Sequence, residues 1–277
     1  MNISHVWNLA TLLVSPLLAP LQSVLANLNA TRFPTIHDFN ELLVRGHQPV
    51  KVKLGYLLRF VPQASGRLGF EAQYEPRCYL SGEVQTRPDN WHDLFNAVVW
   101  LTFPKAKAAI NTRHYQALTH APDFSISQRG RVRDMATLLD ESGVIVACAN
   151  AELAGLLLNF QWKELFWQQR EHVRAAMGFF IFGHGLYEKS LQPYVGITGQ
   201  GLVLVVPAEF FIWTLAVQLN YLDERVAEYL DNPEHCLSPR ELHPVPLLGI
   251  PGWSTENKQA AFYDNTAYFR PGRRYFK

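Results

Sequence analysis

Histidine and glutamate stand four residues apart in Gly183-His184-Gly185-Leu186-Tyr187-Glu188. On a helix, i and i+4 share a face, so the carboxylate can fix the imidazole tautomer in a proton-relay pair, or both side chains can ligate a metal ion. The competing reading is a core histidine bonded to its helix neighbour, with flanking glycines for close packing. A zinc site needs at least three protein ligands, and the third would have to arrive through the fold from His92, His114 or Asp140. The spacing is not HExxH. His92 lies in Asn90-Trp91-His92-Asp93-Leu94-Phe95-Asn96. There it shares a helix face with Asn96, and Asp93 falls in the first turn, where an acid complements the helix dipole.

Two further groups carry polar chemistry. Lys107, Asn111 and His114 recur at i, i+4 and i+7 and stack on one helix face, which a solvated surface explains as well as a binding site does. Arg133-Asp134 and Asp140-Glu141 offer paired carboxylates for acid–base work or a divalent cation, although Asp-Glu-Ser-Gly is also what a turn uses. The candidates are therefore His184, Glu188 and His92 for catalysis, and Asn96, Asn111, His114, Arg133 and Asp140 for holding a substrate. The residues single out no particular metal or cofactor.

Several chemistries lose their usual support. The chain has no GxSxG elbow, P-loop or GxGxxG, and Gly196-Ile197-Thr198-Gly199-Gln200-Gly201 precedes an apparent strand instead of opening a helix. Lys plus Arg number 25 against 24 Asp plus Glu, a net charge of +1, which argues against a protein built to bind nucleic acid. That reading would require the aromatic and cationic tail (Trp253, Tyr263, Tyr268, Phe269, Arg270, Arg273, Arg274, Tyr275, Phe276, Lys277) and Arg129, Arg131 and Arg133 to converge on one face. The more ordinary expectation is a tail that wraps the core by its aromatics. Cys78, Cys148 and Cys236 form no CxxC pair and suit a reducing, cytoplasmic compartment.

The elements that must position these residues follow from periodicity and punctuation. With 277 residues, 48% apolar and 18% charged, the chain has the content of one large core. Met1–Thr31 carries no Lys, Arg, Asp or Glu, but it lacks a basic start, and Pro16 and Pro20 interrupt it; a docked helix pair bent at the prolines is expected, not a signal or a membrane span. Helices are expected from Thr35 to Arg45, from Trp91 along the stripe Trp91, Leu94, Phe95, Val98 and Val99, from Pro104 to His120, from Asn150 to Phe160, from Trp162 to Arg174, and from about Phe211 to Leu230. Val50–Arg87 reads as loop with short strands. Met135–Ala149 reads as a β-hairpin turning at Glu141-Ser142-Gly143, while Met177–Phe182 is either a strand or a buried helix. Leu202–Trp213 reads as a buried strand followed by a helix. Beyond Asp231 the prolines forbid long helices. The expectation is one predominantly helical α+β domain over residues 1–277, with a small sheet or hairpins, apolar N-terminal helices over 1–30 and an irregular C-terminal segment over 231–277.

Asn90–Asn96, Phe103-Pro104-Lys105-Ala106-Lys107, Arg133-Asp134 with Asp140-Glu141-Ser142-Gly143, Phe182–Lys189, and Pro246–Trp253 followed by Phe262-Tyr263-Asp264 together resemble an uncharacterised bacterial family catalogued as domain of unknown function 3025. The resemblance covers almost the whole chain and implies a bacterial, single-domain protein with no activity to carry over. Function then rests on the residues. They point to an enzyme-like protein with a His/Glu/Asp cleft for hydrolysis or group transfer on an unidentified small molecule. The alternative is a non-catalytic protein that binds a protein partner and uses the same residues as buried supports.

Overall fold

The computed structural model describes residues 6–46, 48–119 and 126–272. Met1–His5, His120, Arg273, Arg274, Tyr275, Phe276, Lys277 and the side chain of Arg129 lie outside the described residues. Among those described, the chain is a predominantly helical α+β fold.

Asn8 caps α1 (Leu9–Val14) by accepting from the Thr11 N–H, a 3₁₀ segment covers Pro16–Leu21, and α2 (Gln22–Leu25) follows. Leu9, Leu12, Leu17, Leu18, Leu21, Leu25 and Leu28 are all buried, so residues 9–28 dock as a bent helical pair against the core. Among the described residues no helix is long and apolar enough to cross a membrane. Thr35 and Asp38 cap α3 (Ile36–Arg45) reciprocally.

Strand β1 (Arg59–Pro62), helix α4 (Tyr74–Ser81) and strand β2 (Glu83–Thr86) come next, the strands pairing in parallel. Helix α4 corrects the expectation of loop and strand over this stretch. Pro76 falls in its first turn, where its missing N–H leaves no bond unmade. The helix stops at Gly82, whose φ is 73° and whose α-hydrogen faces the Leu57 backbone too closely for a Cβ.

Helix α5 (Trp91–Thr102) is capped by Asn90, which accepts from the Asp93 N–H at 3.0 Å. Pro104 opens α6 (Pro104–Leu118), whose first N–H groups, from Lys105 and Ala106, donate to the Asp223 carboxylate. Helix α7 (Ile126–Ser142) then runs directly into β3 (Gly143–Cys148), which overturns the expected hairpin. The physical reason is periodicity: Val132, Met135, Ala136 and Leu139, at i, i+3, i+4 and i+7, are buried on one helical face.

Asn150 caps α8 (Ala151–Leu158). The expected continuous helix from Trp162 is instead a π-type turn over Glu164–Gln168 followed by α9 (Arg170–Ala176). The apolar run that follows is strand β4 (Met177–Ile181), then come α10 (His184–Lys189), β5 (Thr198–Val205), α11 (Leu215–Asp231) and β6 (His243–Pro246). The sheet order is β4-β3-β5-β6; β3 pairs with β5 in parallel, and the other two pairings are antiparallel. Tyr263, Tyr268 and Phe269 of the C-terminal segment are buried, and the Tyr268 hydroxyl donates to the Ile197 carbonyl at 2.8 Å.

One corner of this sheet positions the polar cluster. The register pairs Val144 of β3 with Ile181 of β4, so the chain entering β3 and the chain leaving β4 meet. The N–H groups of Phe182 and Gly183 both donate to the Gly143 carbonyl at 2.9 Å. The last turn of α7 and the first turn of α10 therefore lie side by side.

Candidate metal centre

Three elements bring their side chains to that corner. α7 delivers Asp140 and Glu141, α10 delivers His184 at its first position, and α5 delivers His92. Glycine makes the approach possible. A Cβ at Gly183 would collide with the Glu141–Gly143 backbone, and one at Gly185 with the Glu141 carboxylate. Helix α5 is held against α10 by Phe95 stacked on Tyr187, with ring centroids 5.7 Å apart.

The two imidazoles meet edge-on with their Nε2 atoms 3.0 Å apart. Glu141 Oε1 lies 3.5 Å from His184 Nε2 and 3.6 Å from His92 Nε2, so three potential ligand atoms surround one point. The opposite nitrogen of each ring faces another carboxylate: His92 Nδ1 is 3.2 Å from Glu188 Oε2, and His184 Nδ1 is 3.7 Å from Asp140 Oδ2. The second separation is an ion-pair contact, too long for a hydrogen bond, and the buried Nδ1 has no hydrogen-bond partner.

Behind His184, the ammonium of Lys107 makes a short ion pair with Asp140 and sits 5.5 Å from the centroid of the Trp100 ring. Burial works against charge on Asp140, but Lys107 and then His184 outweigh it and hold the carboxyl below its ordinary value. Burial likewise opposes charge on Glu141, and the hydrogen bond and charge of His184, followed by the charge of His92, bring its carboxyl below the usual range. Both acids are thus anionic beside the imidazoles.

A cavity of about 450 Å³ opens onto the cluster, walled by Tyr74, Glu75, Arg87, Asn96, His92 and His184 among others. Arg87 is committed to Asp93 through Nε at 2.9 Å and a terminal nitrogen at 2.7 Å.

The fold treats the expected site residues unequally. His92, His184, Glu188 and Asp140 converge, and Asn96 lines the cavity. The intrahelical His184–Glu188 pair does not form: Glu188 turns to His92, while His184 faces α7 and His92. Asn111 lies off the cavity wall and donates to Glu75 Oε2 at 2.6 Å, a supporting role in place of substrate contact. His114 is buried on α6 and is not part of the wall. Arg133 is exposed on α7, outside the wall, because the helix that replaced the hairpin turns it to solvent. The face of Lys107, Asn111 and His114 is buried, not solvated.

Tyr74, Glu75 and Arg87 carry no signal in the sequence, whereas Lys107 and Glu141 belong to polar groups noted there without being assigned to the site. For Glu141 the signal was present: it follows Asp140, and the two glycines around His184 mark a close approach to another backbone.

The chain matches the family model described as protein of unknown function, DUF3025, over residues 58–273. It belongs to that family. No curated protein and no solved structure matches the chain. The matched span takes in the cluster, from Tyr74 and Glu75 through His92, Lys107, Asp140 and Glu141 to His184 and Glu188.

Proposed function

We propose that this DUF3025 protein is a divalent-metal hydrolase in which His92, His184 and Glu141 hold one zinc ion on the cavity wall. One observation carries the reading. Bonds of about 2.0–2.1 Å to a tetrahedral zinc separate its ligand atoms by roughly 3.3–3.4 Å, and the three candidate atoms lie 3.0, 3.5 and 3.6 Å apart. Three protein ligands of the type His₂Glu leave a fourth position for water or substrate, the pattern of catalytic and not structural zinc.

The carboxylates behind the rings support the same reading. Glu188 accepts from His92 Nδ1, which directs the His92 Nε2 lone pair to the common point, and the Asp140 charge 3.7 Å from His184 Nδ1 favours a proton on that nitrogen and so the same orientation of His184 Nε2. Lys107 keeps Asp140 charged in a buried position. A zinc ion held by these residues would supply activation of a water molecule near neutral pH. In the hydrolysis, the water oxygen bonds to the acyl carbon, the bond to the leaving group breaks, and the proton lost by water departs with that group. The cavity would orient the substrate beside the ion. A bacterial cytoplasm suits the three cysteines, all free and buried.

The test is metal binding by the purified full chain, stripped with chelator and titrated with zinc against a competing indicator dye. The expected result is one ion per chain, with affinity lowered at least about 100-fold by His184→Ala or Glu141→Gln and about 10–100-fold by Asp140→Asn. Sub-stoichiometric binding that is indifferent to all three substitutions overturns the reading. An ester and amide panel on the zinc-loaded protein then identifies the scissile bond.

A further inference from the structure

The cavity beside the proposed ion holds two groups that the cluster does not use. Glu75 stands in the first turn of α4 and lines the wall. Its Oε2 accepts from Asn111 Nδ2 at 2.6 Å, and the same nitrogen reaches the Glu75 carbonyl at 3.0 Å, so the carboxylate is held in a set orientation. No cation among the described residues pairs with it. Asn96, only 6% exposed, also lines the wall. Its Nδ2 donates to the Tyr74 hydroxyl at 2.6 Å, and its buried Oδ1 has no hydrogen-bond partner.

The other charges are already matched. Arg87 is taken by Asp93, Asp140 by Lys107, Glu188 by His92, and Glu141 by the ion on the reading above. Outside the His92–His184–Glu141 cluster, the wall thus presents an unpaired negative charge on Glu75 and an unpartnered buried acceptor on Asn96. An unmatched buried acceptor costs about 1–3 kcal/mol, and a ligand that brings N–H groups removes that cost. An anionic group gains nothing here, because the nearest guanidinium is already paired.

Resting on the metal-hydrolase reading, we infer that the substrate is an acyl compound bearing a protonated amine, which docks on Glu75 and Asn96 while the acyl group reaches the ion. The amine satisfies both leftover groups at once: its charge meets the carboxylate and one of its N–H bonds meets Asn96 Oδ1. A cavity of about 450 Å³ suits a small molecule of this type.

Calorimetry on the zinc-loaded full chain tests this with ω-amino hydroxamic acids of graded chain length, their N-acetylated counterparts and inorganic phosphate. The hydroxamate grips the ion in both series, so only the amine differs. At the best length, the free amine is expected to bind at least about 10-fold tighter than its acetylated form. Glu75→Gln should bring that ratio close to unity without changing zinc content or the affinity of the acetylated probe. Asn96→Leu, which removes the acceptor, should lower the ratio independently. Equal binding of both series at every length, a ratio that survives Glu75→Gln, or phosphate binding tighter than either probe overturns the inference. A chain that holds zinc and binds both series equally refutes only this inference; a chain that holds no zinc refutes the metal reading and this inference with it.

Discussion

Lys107 and Asp140 form the most consequential ion pair near the site, because both are withdrawn from water: their side chains are 3% and 12% exposed. Two unit charges about 3 Å apart at an effective dielectric of about 20 attract by roughly 5–6 kcal/mol. The cost of desolvating both ions offsets most of that, so the pair adds little net stability. Removing one partner is a different matter. Lys107→Met keeps the aliphatic stem over Trp100 but leaves Asp140 either charged without its counter-ion or obliged to take up a proton at neutral pH. The expected loss is about 3–5 kcal/mol. Adding Asp140→Asn to Lys107→Met removes the orphaned charge and should restore the protein to within about 1–2 kcal/mol of the parent. Urea unfolding of the parent, both single variants and the double variant, in chelator so that metal binding does not contribute, closes the cycle. Below about pH 5 the Lys107→Met deficit should shrink, since Asp140 can then be protonated at lower cost. A single variant that loses under about 1 kcal/mol, or a double variant whose loss equals the sum of the singles, refutes the argument that Lys107 exists to hold a buried charge.

Two further outcomes follow from the packing. Burial pushes Asp223 up to about 6 against an ordinary value of 3.8, in spite of the Ala106 and Lys105 N–H groups it accepts. A folded value above the unfolded one means the fold binds the proton more tightly; this stabilisation is complete below about pH 4 and lost as pH rises through about 6, at most about 3 kcal/mol. Asp223→Asn should flatten that part of the stability profile measured by denaturant unfolding, and an unchanged slope would contradict it. Leu94, 1% exposed on the inner face of α5, should cost about 2–5 kcal/mol when replaced by Ala. An unaltered melting temperature would show that this face is not the core.

Local signals in the sequence determined much of the framework. Asn90, Asn150 and Thr35 announce helix starts because their side chains accept the N–H groups that a helix leaves free. The stripe from Trp91 to Val99 names the buried face of α5, and the prolines at 16 and 20 explain why the uncharged N-terminal stretch bends. His92, His184 and Glu188 could be singled out as chemically able, and so could the glycines around His184. Tertiary structure decided which partners they meet. The sequence pattern of Asp140-Glu141-Ser142-Gly143 fits a turn as well as a helix end, and only the packing of Met135, Ala136 and Leu139 into the core selects the helix. That choice carries Glu141 to the histidines and turns Arg133 away. Likewise, an i, i+4 spacing shows that His184 and Glu188 can touch, but the register of β3 on β4 sets α7 beside α10, and the stacking of Phe95 on Tyr187 places His92 within reach of both. Contacts between side chains 92 and 96 positions apart have no local signature, because they depend on the crossing of whole elements whose positions are set by the core.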